Sequence, residues 1–262
     1  MNSKKRLGQN FLTCEWVAEA MISAAVLSSR DTVLEVGSGR GALTRLLARR
    51  AGHIIAVEKD EALAQTLREK LARENIKNVE IIEGDILHIL SRLNLDSIWN
   101  KVVANIPYYL TSRLIRTLLE QKHQPETIVL TIQKEVAQRM VAKPPRMNLL
   151  ALGVQTFGKP KIIKTVPASC FSPKPKVDSA MIAITDISRS FFSKNHIDEK
   201  EFFALVRRAF SQKRKLLTNT LKGTRDKQTI AEATKKAGLS PTARAEELSL
   251  PQWADLYRFF NT

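Results

Sequence analysis

Cysteine is nearly absent from this chain: its 262 residues include two, Cys14 and Cys170. They stand far apart, and neither belongs to a group at metal-ligand spacing. That excludes a disulfide framework and a zinc site, predicts no metal ligand, and leaves two reduced thiols as the expectation. Long apolar runs are missing as well. No stretch reaches the roughly 20 uninterrupted apolar residues of a membrane span. The opening Met1-Asn2-Ser3-Lys4-Lys5-Arg6 leads into polar Gly8-Gln9-Asn10 instead of an apolar signal core. A cytoplasmic monomer with no membrane partner is therefore expected. Acids are missing from two long stretches. None occurs from Val136 to Val177, where Arg139, Lys143, Arg146, Lys159, Lys161, Lys164, Lys174 and Lys176 fall, nor from Phe202 to Arg225, where Arg207, Arg208, Lys213, Arg214, Lys215, Lys222 and Arg225 fall.

What is present sharpens those exclusions. Lys and Arg number 42 against 26 Asp and Glu, a formal charge of +16, which favours a polyanionic partner through phosphate neutralisation and counterion release. A single basic run reads as a solvated face, but two long acid-free stretches point to nucleic acid. With 44% of residues hydrophobic, the chain can bury one large core and carry a small second domain.

The first 185 residues alternate strand-like apolar runs with amphipathic segments, the pattern of an α/β fold whose mostly parallel sheet is covered by helices. Seven strands are predicted at Thr32–Val36, Ile54–Glu58, Val79–Ile82, Lys101–Ala104, Thr127–Ile132, Ile162–Val166 and Ala180–Thr185. Helices are predicted between them at Ala42–Arg50, Glu61–Asn75, Thr111–Glu120 and Lys134–Ala142. A polar stretch from Ser188 to Asp198 precedes a tail with helical segments alone, near Glu199–Ser211, Lys213–Leu221, Thr229–Ala237 and Pro251–Phe260. The boundary falls near residue 190, giving a catalytic domain of residues 1–190 and an all-α domain of residues 191–262.

The run Val33-Leu34-Glu35-Val36-Gly37-Ser38-Gly39-Arg40-Gly41 sends a strand into a glycine turn that opens a helix. Its Gly-x-Gly-x-Gly spacing differs from the dinucleotide fingerprint and lacks the Lys and Ser/Thr of a P-loop. Alone it is weak. The next strand ends in Glu58, about 20 residues on, where an acid accepts bonds from ribose hydroxyls, and the third ends in Glu83-Gly84-Asp85. Each acid taken singly could simply cap the following helix. Together they place two acids and a glycine turn at one carboxyl edge, which fits S-adenosylmethionine better than NAD.

The fourth strand runs into Asn105-Ile106-Pro107-Tyr108. An aromatic amino nitrogen is a poor nucleophile because its lone pair is spread into the ring, so an enzyme must orient it. The Asn105 side-chain oxygen and the Ile106 carbonyl can each accept one amino hydrogen. Pro107 fixes φ and brings no competing donor, and Tyr108 offers a face for a base. The chemistry implied is in-line methyl transfer to a flipped-out base, with rate supplied by positioning and hydrogen bonding.

These motifs, with Leu7-Gly8-Gln9-Asn10-Phe11-Leu12, the run from Phe171 to Ser179, and Arg208-Ala209-Phe210 followed by Lys213-Arg214-Lys215, resemble the bacterial small-subunit ribosomal RNA adenine dimethyltransferases. The resemblance implies a Rossmann-like class I S-adenosylmethionine methyltransferase fold. It further implies N6,N6-dimethylation of two adjacent adenosines in the 3′-terminal hairpin loop of 16S ribosomal RNA in the small subunit. By similarity, Gln9, Asn10, Leu12, Gly37, Gly39, Glu58, Lys59, Asp85, Ile86 and Asn105 bind the cofactor. Phe171 sandwiches the extruded base opposite Tyr108, and Arg207, Arg208, Lys213, Arg214, Lys215 and Lys222 hold RNA. The segment Lys143-Pro144-Pro145-Arg146-Met147-Asn148 departs from the glycine- and aspartate-containing form of the family. Two alternatives stay open. One is the related large-subunit RNA adenine methyltransferase of macrolide resistance, which shares the Gln9 to Leu12 and Asn105 to Tyr108 motifs; the tail Arg244-Ala245-Glu246-Glu247-Leu248-Ser249 favours the small-subunit enzyme. The other is a non-catalytic ribosome assembly factor.

Overall fold

The computed structural model describes residues 9–92, 99–212 and 215–260. The chain forms two compact units, one of Met1–Ala137 with Lys159–Ile187, the other of Gln138–Gly158 with Ser188–Thr262. Among the described residues no helix is long and apolar enough to cross a membrane.

The strands in chain order are β1 (Phe11–Leu12), β2 (Thr32–Val36), β3 (His53–Glu58), β4 (Val79–Glu83), β5 (Lys101–Asn105), β6 (Thr127–Gln133), β7 (Lys159–Val166), β8 (Phe171–Ser172) and β9 (Ser179–Thr185). Seven of them form the main sheet of the first unit in the order β4-β3-β2-β5-β6-β9-β7. Pairing from β4 across to β6 is parallel, and β9 runs antiparallel between β6 and β7. The chain leaves β2 in one direction along the sheet and returns on its other side through β5, so strand order reverses between them. In open α/β sheets that is where ligands bind, beyond the carboxyl ends of the strands. The central strands are buried on both faces and therefore read as continuous apolar runs, as Val102, Val103 and Ala104 illustrate with no exposure.

Helices cover the sheet through apolar stripes. The helix Glu15–Ala25 presents Val17, Ala18, Met21 and Ala25 to a core shared with Leu43, Leu47, Ile54, Val103, Val129 and Met181. Thr111–Glu120 buries Leu114, Ile115, Leu118 and Leu119, the spacing of one helical face. Each such side chain, fully buried, stabilises the fold by about 1.5–3 kcal/mol. The Asp60 carboxylate accepts the Leu63 N–H at 3.1 Å and so starts the helix Glu61–Arg73.

The second unit is helical. Phe157, Phe192, Phe202 and Phe203 pack as a ring cluster with centroids 5.1 to 6.2 Å apart, and Tyr257 joins Phe202 at 6.0 Å. Residues 138–158, placed by sequence in the first domain, belong here: Phe157 joins the cluster and the Met147 N–H donates to the Glu246 carbonyl. The Ser188 to Asp198 stretch, read from the sequence as a polar separator before the tail, contains the helix Ser190–Asn195, which supplies Phe192 to that core.

Candidate active site

Carboxyl ends of β2, β3, β4 and β5 converge on one cavity in the first unit. Its lining includes Gln9, Asn10 and Phe11 from the N-terminal strap, Gly37 and Gly39 from the turn after β2, and Glu58, Lys59, Asp85 and Ile86 from the ends of β3 and β4. Asn105, Pro107 and Tyr109 close the remaining side.

The turn is built from backbone that side chains rarely adopt. Gly37 and Gly39 have φ of +76° and +55°, and a Cβ on Gly39 would stand 3.1 Å from the Phe11 ring. Phe11 thus closes on bare backbone, and the Arg40 guanidinium lies 4.8 Å from its ring centroid. Glu58, 2% exposed, does not cap the helix that follows; its Oε2 accepts the Gly39 N–H at 2.8 Å and its Oε1 accepts the Asp60 N–H at 2.9 Å. Gln9 donates to the same Oε1 at 3.4 Å. Asp85 does act at a helix start, accepting the Leu87 N–H at 3.0 Å through Oδ1, while Oδ2 takes the Lys59 ammonium at 2.9 Å. That bond holds the Asp85 carboxyl below its usual range and raises Lys59.

Among the described residues, the charged ones lining the cavity are Glu58, Asp85 and Lys59, and Lys59 is already paired with Asp85. In a chain of net charge +16, a cavity with surplus negative charge suits a cationic guest. Carboxylates suit hydroxyls, Val57, Ile86 and Leu110 suit the face of a base, and glycine backbone leaves room for an amino-acid arm. The residues present therefore fit S-adenosylmethionine.

Asn105 ends β5 beside this cavity. Its Nδ2 donates to the Asn10 carbonyl at 2.9 Å, and its Oδ1 accepts from the Thr131 hydroxyl at 2.5 Å. The Ile106 side chain is buried at 3% exposure, Pro107 lines the cavity, and Tyr108 is half-buried with its hydroxyl 2.7 Å from Ser179 Oγ. Burial pushes the Tyr108 phenol above its ordinary range, so it remains protonated at neutral pH.

Three expectations change. Leu12 packs against the core, and the cavity is lined by its neighbour Phe11. Phe171 is 4% exposed and its ring belongs to the core cluster with Val17 and Met21, so no base can stack on it in this conformation. Cys14 and Cys170 are not separate thiols but form a disulfide spanning 156 residues. It stands beside the antiparallel pairing of β1 with β8, where Phe11 faces Ser172 and Leu12 faces Phe171. Sequence carried no sign of Thr131 or Ser179 as partners of Asn105 and Tyr108, because neighbouring strands bring them in from distant segments.

Of the residues expected to hold RNA, Arg207, Arg208, Lys215 and Lys222 are exposed in the second unit, and Arg208 donates to the Lys222 carbonyl at 2.9 Å. Lys213 and Arg214 lie outside the described residues.

A family model described as ribosomal RNA adenine dimethylase matches residues 1–262. The chain is 41% identical over 259 residues to "Ribosomal RNA small subunit methyltransferase A" of Dehalococcoides mccartyi strain CBDB1, covering 98% of this chain and 88% of that protein. It is 40% identical over 258 residues to the protein of the same name from Clostridium botulinum strain Loch Maree, covering 96% and 92%. Among solved structures, a dimethyladenosine transferase from Plasmodium falciparum superposes with a TM-score of 0.83 at 26% identity, covering 96% of this chain and 97% of that one. The 23S rRNA methyltransferase ErmE superposes with a TM-score of 0.76 at 25% identity, covering 97% and 100%.

Proposed function

The chain belongs to the ribosomal RNA adenine dimethylase family, and from that premise we propose that it dimethylates the N6 amino groups of two adjacent adenosines in the 3′-terminal hairpin loop of 16S ribosomal RNA within the small subunit. It is an S-adenosylmethionine-dependent methyltransferase. The observation that carries the finer reading is Asn105 at the end of β5, its amide held at both ends beside a cavity lined by Glu58 and Asp85. The relatives named for the small subunit, at about 40% identity, favour that subunit over the large-subunit activity named for ErmE at 25%.

Bound S-adenosylmethionine supplies an electrophilic methyl group on a positively charged sulfur. Gly37 and Gly39 would lie under its amino-acid arm, Glu58 would take the ribose hydroxyls, and Asp85 with Ile86 would take the adenine. The strap of Gln9, Asn10 and Phe11 would cover it, and Lys59 would hold Asp85 ionised. The target nitrogen's hydrogens go to Asn105 Oδ1 and the Ile106 carbonyl, which draws its lone pair out of the ring as positive charge develops. Tyr108 gives the base a face, and Pro107 keeps that stretch free of a competing donor. The methylated nitrogen is far more acidic than the amine, so its proton leaves without a strong base. Residues 191–262 would grip the phosphates through Arg207, Arg208, Lys213, Arg214, Lys215 and Lys222.

Small subunits lacking the modification, incubated with this protein and labelled S-adenosylmethionine, test the reading. Methyl incorporation is expected, with Asn105→Ala reducing it about 100-fold or more while cofactor binding persists. Equal loss of both would make Asn105 structural. Absence of incorporation by the wild type would favour a binding factor without catalysis.

A further inference from the structure

We infer that Thr131 is a positioning residue: its hydroxyl holds the Asn105 amide in the direction that the Asn10 carbonyl sets, with Oδ1 turned to meet the target nitrogen. The assignment rests on the proposed methyl transfer and extends it to a residue that never touches substrate.

Asn105 and Thr131 are register partners on the parallel strands β5 and β6, so their side chains stand side by side. The Asn10 carbonyl can only accept, so the Asn105 group facing it across 2.9 Å must be the NH₂. Oδ1 then necessarily faces Thr131, whose hydroxyl donates to it at 2.5 Å. The amide is held between a carbonyl that can only accept and a hydroxyl that donates to it, and a flip would set Oδ1 against the Asn10 carbonyl and lose that bond. A carbonyl oxygen has two acceptor positions; Thr131 fills one and leaves one, matching a target nitrogen that gives Asn105 a single hydrogen.

Packing alone does not call for this hydroxyl. Thr131 is 1% exposed, and the strand around it, Ile128, Val129, Leu130 and Ile132, is wholly apolar and buried. Val has the same branched shape and would fill the space with no polar group to desolvate. A hydroxyl buried in an apolar strand costs stability unless it is bonded, and here the bond goes to the residue at the reacting centre.

The test compares wild type, Thr131→Val and Thr131→Ser on unmodified small subunits, with the side-chain NH₂ resonances of Asn105 followed by NMR and assigned by their loss in Asn105→Ala. Thr131→Val is expected to lower kcat about 10-fold, the effect of one hydrogen bond of about 1.4 kcal/mol, with KM for the methyl donor unchanged. Its Asn105 NH₂ signals are expected to shift and exchange faster with water. Thr131→Ser restores the hydroxyl and recovers most of both. Unchanged kcat in Thr131→Val, or equal damage in Val and Ser, would overturn the assignment. Should the wild type itself transfer no methyl group, the proposed function fails, and the amide signals still decide the clamp: identical Asn105 NH₂ resonances in wild type and Thr131→Val would overturn it separately.

Discussion

Glu35 lies in β2 just before the glycine turn, 1% exposed, with no hydrogen-bond partner for its Oε2. Burial pushes its carboxyl up to about 8; the nearby Thr44 hydroxyl opposes that rise without reaching hydrogen-bond geometry, and the charge of Glu58 adds to it. An acid with a raised folded pKa keeps its proton in the folded chain after the unfolded chain has released it. Its contribution to stability is full below the ordinary value of 4.5 and is lost as pH rises to about 8. Glu35→Gln removes that dependence. In urea unfolding, the variant is expected to gain on wild type steadily across this window and to level off above it, by several kcal/mol at most. A difference that does not vary with pH would contradict the account. At this scale the sequence was legible where a motif carries the chemistry: Gly37, Gly39, Glu58, Asp85 and Asn105 all come to one cavity. It was not legible where strand register decides, as for Thr131 beside Asn105, or where one aromatic must be sorted between core and surface, as for Phe171.

Among the elements, long periodic segments were readable and very short ones were not. Thr32–Val36 and Thr111–Glu120 form as the sequence predicts, and β3 to β6 start or end within one residue of expectation. β1 and β8 have two residues each, too few for any period, and they exist because they pair with each other. That pairing matters because β1 belongs to the strap that brings Gln9, Asn10 and Phe11 to the cavity. The Thr13 N–H adds a bond to the Cys170 carbonyl at 2.9 Å, and the Cys14–Cys170 disulfide fixes the junction covalently. Spacing in sequence hid this link, since residues 156 apart become neighbours only once the sheet has formed. Protein purified without reductant, then denatured and titrated, is expected to show essentially no free thiol. Recovery of two thiols per chain would contradict the link. Cys14→Ser should cost about 2–4 kcal/mol through the freed unfolded state.

For the whole molecule, the charge is the most direct message of the sequence. A net +16 with acids absent from 202 to 225 points to a polyanion before any fold is known, and Arg207, Arg208, Lys215 and Lys222 stand exposed in the helical unit. Unit membership was less readable. Residues 138–158 join the helical unit through Phe157 and through the Met147 N–H, which donates to the Glu246 carbonyl, contacts that no local pattern announces. Dimethylation of adenine in small-subunit RNA can be read on the RNA itself. The most direct test maps N6,N6-dimethyladenosine at nucleotide resolution in ribosomal RNA from cells with and without its gene. Loss of the modification at two adjacent adenosines of the 16S 3′-terminal hairpin is expected, restored by the wild-type gene. Loss confined to the large-subunit RNA, or no loss in either, would contradict the proposed function.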